Sequence, residues 1–138
     1  MPIRPENKAR YPKDWPAISH RVRERAGNAC EECGVGNYAL GGRTPDGRWH
    51  PAQPAGEKLA RLKWPRPGEH AWCAGGLCLR IIRIVLTVAH LDHRPENCDD
   101  ANLRCWCQRC HNRYDAATRR AGVRDRARKA RATGDLFA

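Results

Sequence analysis

Three stretches read in order decide the fold: Val88-Ala-His-Leu-Asp-His-Arg-Pro95, then Ala101-Asn-Leu103, then Cys107-Gln-Arg-Cys-His-Asn-Arg-Tyr-Asp115. The first closes a run over residues 77–88 in which Ile81, Ile82, Ile84, Val85, Thr87 and Val88 are β-branched, as suits a strand. A turn-rich segment, 94–101, separates it from a short second strand over 103–106. Residues 108–121 then read as a helix stopped by Gly122, and 123–132 as a second, arginine-rich one. Strand, loop, strand and helix in that order form a compact ββα unit, so the expected class is α+β.

Upstream of this unit the chain is less regular. Residues 34–76 are rich in Gly and Pro and read as a loop-rich insertion, with one short helical candidate at 57–63. Residues 1–18 carry four prolines, which favours an extended arm held down by Tyr11 and Trp15. A helix is expected to start at Ser19 as its cap, with Ile18 as a staple residue. Ile18, Val22 and Ala26 recur at helical spacing before Gly27 and Asn28 stop it. One domain spanning 1–138 is the natural division at this length, with 88–115 its chemical centre and 123–138 a basic helix and tail.

The chain has 26 Lys and Arg against 15 Asp and Glu, a formal charge of +11, which favours a polyanionic partner, although net charge alone also suits a merely soluble protein. The longest apolar run, 81–89, is interrupted by Arg83 and falls well short of the roughly 20 residues a membrane helix needs. The first ten residues hold no apolar signal-peptide core, so a reducing, cytoplasmic setting is expected. The eight cysteines then call for an explanation other than disulfides. Cys30-Glu-Glu-Cys33 and Cys107-Gln-Arg-Cys110 supply one: a two-residue gap lets both sulfurs of a pair reach one tetrahedral ion at about 2.3 Å. Four thiolates make a closed structural zinc site. Of the remaining cysteines, Cys73 and Cys78 could join His70 at a second ion or serve as small buried hydrophobes, the latter also open to Cys98 and Cys105. Cys105 alternates with Cys107 and should share its face unless the knuckle turn displaces it. Trp49, Trp64, Trp72 and Trp106 are expected to anchor the core or its loops.

The ordered series His90, Asn102-Leu103 and Cys107-x-x-Cys110-His111 resembles the HNH, or ββα-metal, endonuclease motif. With the Cys30–Cys33 knuckle it is similar to the zinc-knuckle branch found in phage and prophage proteins. The resemblance implies a DNA endonuclease of bacterial or phage origin with His90 as general base, and with Asn102 orienting that histidine or reaching the metal. It also implies a catalytic divalent ion, magnesium or manganese with zinc or nickel as alternatives, on His111 and Asp115, completed by Asp92. Histidine suits the base role near neutral pH, and His111 and Asp115, four apart, project from one helical face. Ala89 departs from the family, which often has a ligating residue just before the base. A second register therefore stands open, with Asp92 the ligand and His93 the base, although the loop length to Asn102 favours His90. Arg104, Arg109, Arg113, Arg119, Arg120, Arg124 and Arg128 are candidates for phosphate contacts. A zinc-knuckle protein that binds DNA or RNA without turnover is the rival reading.

Overall fold

The computed structural model describes residues 3, 5–56 and 62–135, the side chains of 133–135 excepted. The helical candidate at 57–63 falls mostly outside the described residues. The N-terminal arm is more ordered than its prolines suggest, because a 3-10 helix, Pro5–Arg10, leads into helix α1, Trp15–Arg25. Pro16 stands in the first turn of α1, where its missing N–H costs nothing. Asp14, not Ser19, is the capping position. Ser19 lies inside the helix, and its hydroxyl donates to the Pro16 carbonyl at 3.0 Å. The stop is where it was expected: Gly27 and Asn28 take positive φ of 63° and 52°.

The main core is built around an antiparallel hairpin of β6, Leu86–His90, and β7, Leu103–Cys107, registered from Leu86 opposite Cys107 to His90 opposite Leu103. Alternation puts Leu86, Val88 and His90 on one face and Thr87 and Ala89 on the other. The first face meets α1, whose Ile18 and Val22 are buried with Leu86, Leu103, Cys105 and Cys107. The second meets helix α2, Gln108–Asp135, through Thr87 and Trp106. α2 is one 28-residue helix rather than two. Gly122 does not take a positive φ, and one glycine costs a helix only about 1 kcal/mol against Ala, too little to break a run of Ala and Arg.

The long strand expected at 77–88 is divided among three sheets. β4, Leu77–Arg80, pairs with β3, His70–Cys73; β5, Ile82–Arg83, pairs with β1, Leu40–Arg43; β6 pairs with β7. The reason is that Ile81 and Ile84 enter two different cores, the first with Ala52 and Cys73, the second with the main cluster. The insertion is accordingly a small β lobe, in which β2, Trp49–Pro51, flanks β1 on its other edge. Gly42 lets β1 lie against Leu79, whose Cβ a side chain at 42 would strike. The lobe is tied to the hairpin by Tyr38 N–H to the Ile84 carbonyl and Ile84 N–H to the Ala39 carbonyl, at 2.8 and 2.9 Å. No helix among the described residues is long and apolar enough to cross a membrane.

Candidate functional site

The sulfurs of Cys30, Cys33, Cys107 and Cys110 all lie within 4.8 Å of one another, the one such group of three or more potential ligands among the described residues. The first knuckle forms by local backbone bonding, and the second is tied to it by a backbone N–H. Gly34 N–H reaches the Cys30 carbonyl at 2.8 Å, Cys30 N–H reaches Val35, and the Cys107 N–H donates to Cys30 Sγ at 3.3 Å. Arg43, from the β lobe, donates to Cys33 and Cys107 Sγ at 3.6 and 3.5 Å. Burial raises the Cys33 thiol, but the Val35 N–H, Arg43 and the neighbouring thiols outweigh it and bring it down to about 6. Burial pushes Cys107 and Cys110 up, and for Cys110 the neighbouring cysteines add to it. Four converging sulfurs whose combined charge the protein does not neutralise fit a metal ion such as structural zinc.

A second cluster gathers on the α2 side of the hairpin. Asp115 Oδ2 lies 3.2 Å from His111 Nε2, and Asp115 Oδ1 lies 3.6 Å from His93 Nδ1. Oδ1 is buried and accepts no hydrogen bond. His111 Nδ1 meets the Thr87 hydroxyl at 3.0 Å, and that hydroxyl has the Trp106 carbonyl at 3.3 Å as acceptor for its own proton. The same hydroxyl can instead donate to Nδ1, so a neutral His111 turns either an Nε2–H or, as the other tautomer, an Nε2 lone pair to the Asp115 carboxylate. In the second tautomer two acceptors face each other, an arrangement that a cation between them would relieve. Burial lowers the His111 pKa, against the pull of Asp115. The geometry thus sets one carboxylate between two imidazoles, with one of its oxygens buried and without a hydrogen-bond donor.

His90 is not part of this cluster. It faces α1, stacked on Trp15 at 4.9 Å with Tyr11 against its edge at 5.7 Å, and Cys98 Sγ stands 3.7 Å from its Nε2. Its neighbour by three, His93, is turned to α2 by a left-handed backbone, φ 59°, and its Nε2 meets the Thr118 hydroxyl at 3.3 Å. Asn102 holds the intervening loop: its Oδ1 accepts from Asp92 N–H at 3.1 Å and its Nδ2 donates to Asp92 Oδ1 and the Asn97 carbonyl at 2.9 and 2.8 Å. Asp92 spends its carboxylate there. Hydrogen bonds from Asn97, the Arg94 backbone and Asn102 bring it down to about 2, and through them it staples the loop. Because β6 has an open edge, a cleft of about 770 Å³ reaches both faces, from Arg10 and Trp15 past His90 to His93, His111, Asp115 and Arg119.

The arginines divide. Arg113 is paired with Glu32 at 2.7 Å, Arg128 with Asp125 at 2.9 Å, and Arg109 and Arg104 donate to the backbone carbonyls of Asp46 and Leu103. Arg119 lies 3.7 Å from Asp115 beside the cleft, while Arg120 and Arg124 are exposed on α2. The second ion imagined on His70, Cys73 and Cys78 does not assemble. Cys78 lies opposite Trp72 on the outer face of the β3–β4 ribbon, and Cys73 turns inward and is fully buried. Cys105 is likewise a core residue, raised to about 11 by burial and then by Glu31. Trp106 is buried as expected, but Trp64 and Trp72 are 58% and 63% exposed and anchor nothing in the core. What residue order could not convey was Arg43, which meets the cysteines only through the fold of the lobe. No family model, curated protein or solved structure matches the chain.

Proposed function

We propose that this protein is a metal-dependent DNA endonuclease with His93, rather than His90, as its general base, stabilised by zinc on its four clustered cysteines. The observation that carries the reading is Asp115, half-buried and with one buried oxygen lacking any donor, lying between His111 and His93 at the wall of the cleft. A hairpin leading into a helix, with the ordered motif along it, agrees with the resemblance to HNH nucleases.

His111 Nε2 and the Asp115 carboxylate are the groups that would hold the catalytic ion. When bound, it supplies charge stabilisation to the phosphate and the departing oxygen. Asp115 faces the Nδ1 side of His93, so Nε2, which meets the Thr118 hydroxyl at 3.3 Å, would take a proton from the attacking water once that water displaces the hydroxyl. The water oxygen bonds to phosphorus, the bond to the 3′ oxygen breaks, and that oxygen takes a proton from solvent. The products carry 5′-phosphate and 3′-hydroxyl ends. Arg119 is placed to meet a phosphate in the cleft. Asn102 acts on His93 through the loop it clamps, as a positioning residue.

The test is cleavage of plasmid DNA with magnesium, manganese, zinc or nickel. His93→Ala should lose activity by a factor of about 10² or more while keeping fold and DNA affinity. His90→Ala should still cleave. His111→Ala should be partly rescued by more metal. Inactive His90→Ala with active His93→Ala would restore the other register, and a parent inert with every ion would end the nuclease reading. The rival, DNA binding without turnover, is favoured by one feature: Ala89, buried beside the cluster, brings no ligand where relatives of the motif often carry one.

A further inference from the structure

The β lobe carries a feature that the proposed cleavage site does not use. A separate cleft of about 390 Å³ is lined by Tyr38, Leu40, Pro51, Ala52 and Trp64. Its two aromatic members are 67% and 58% exposed, so neither ring is spent on the protein's own core. Tyr38 is also held in a left-handed backbone conformation, φ 60°, which a bulky residue adopts only against a steric cost. That conformation is maintained by its N–H bond to the Ile84 carbonyl at 2.8 Å, on the seam between lobe and hairpin. Strain of this kind tends to persist where a side chain has a task.

The rim is basic. Arg83 lies directly opposite Leu40 in the β1–β5 pairing, and cross-strand partners project from the same face, so its exposed guanidinium belongs to the side of the sheet that lines the cleft. Lys63 immediately precedes Trp64 and is fixed there by reciprocal backbone bonds with Ala55 at 2.9 Å. Flat aromatic faces over an apolar floor, with cations at the edge, are what an unpaired nucleotide requires: stacking for the base, charge for the phosphate. An apolar peptide would use the floor and the rings but leave the cations without a partner.

We infer that the Tyr38–Trp64 cleft holds an unpaired base of a single-stranded segment, with Arg83 and Lys63 on the flanking phosphates. The inference rests on the reading of the protein as acting on DNA, and extends it to substrates in which a single strand adjoins the duplex to be cut. The experiment is fluorescence anisotropy of a labelled oligothymidylate with the zinc-loaded full chain. Tyr38→Ala and Trp64→Ala should each weaken binding about tenfold. Arg83→Gln should lower the slope of log affinity against log salt by about 0.7. Both aromatic variants should cleave fully paired duplex at the parent rate, since neither residue lies in the His93 cluster. Parent-like oligothymidylate affinity in both aromatic variants would overturn the inference and leave the cleft to an apolar peptide. Cleavage is read on the same samples, so a parent that binds oligothymidylate through these residues yet cuts nothing would end the nuclease reading and keep this one.

Discussion

At the residue scale the two histidines of the Ala89-His-Leu-Asp-His93 string illustrate how position on a strand assigns a role. His90, the last residue of β6, follows the strand's alternation and is carried to the α1 face, where it is 8% exposed between aromatic rings. Burial pushes its imidazole below the ordinary range, against the opposing pull of Asp92 and Glu96. The unfolded chain therefore takes up this proton more readily than the folded one. The stability associated with a neutral His90 is complete above the ordinary value of about 6.5 and is lost as pH falls through it toward the lowered folded value. His90→Gln removes that titration. Its unfolding free energy, measured by urea at a series of pH values from about 7 down to 5, should fall less steeply than the parent's. A slope equal to the parent's would mean that another group dominates acid destabilisation. His93, three residues on, is freed from the strand and is the one histidine of the string placed against Asp115.

At the scale of elements the telling case is α2. Its first turns are held by Trp106, His111 and Tyr114 against the hairpin, whereas most of its side chains from residue 117 onward are exposed. The far half therefore depends on helix propensity and on pairs such as Asp125 with Arg128 and Lys129, at 2.9 and 2.8 Å. Gly122 is the weakest position in it. A methyl there would meet no neighbour closer than the Arg126 side chain at 3.9 Å. Gly122→Ala should stabilise the helix by about 0.5–1 kcal/mol, seen as greater ellipticity at 222 nm and less fraying on warming. Lower ellipticity would show that the chain needs a break at 122 after all. The lobe supplies the contrast. There Gly42 has Leu79 against it, so an added methyl must displace a packed neighbour rather than fill open space.

At the scale of the molecule, the four-cysteine cluster joins the segment after α1 to the junction of β7 and α2, and Arg43 brings the β lobe to the same point. Few large side chains are fully buried among the described residues, so a metal ion held by the four cysteines would supply a substantial part of the folding energy. Chelation of zinc should therefore abolish the cooperative thermal transition followed by circular dichroism. Cys30→Ser and Cys110→Ser should do the same, while Cys98→Ser should melt as a folded, zinc-loaded protein. A cooperative, metal-free melt of Cys30→Ser would remove the cluster from its structural role. The pairing of the two knuckles was legible in residue order because tetrahedral coordination restricts spacing within each pair and makes four sulfurs a closed set. The hairpin followed by a helix was legible too, since β-branched runs, a turn-rich gap and helix formers act locally. Tertiary structure alone decided the rest. It divided residues 77–88 among three sheets, because Ile81 and Ile84 are drawn into separate cores. It left Trp64 and Trp72 outside both. It placed His93 rather than His90 beside His111 and Asp115, because which face of a strand meets which helix depends on what packs on either side, and no local spacing carries that information.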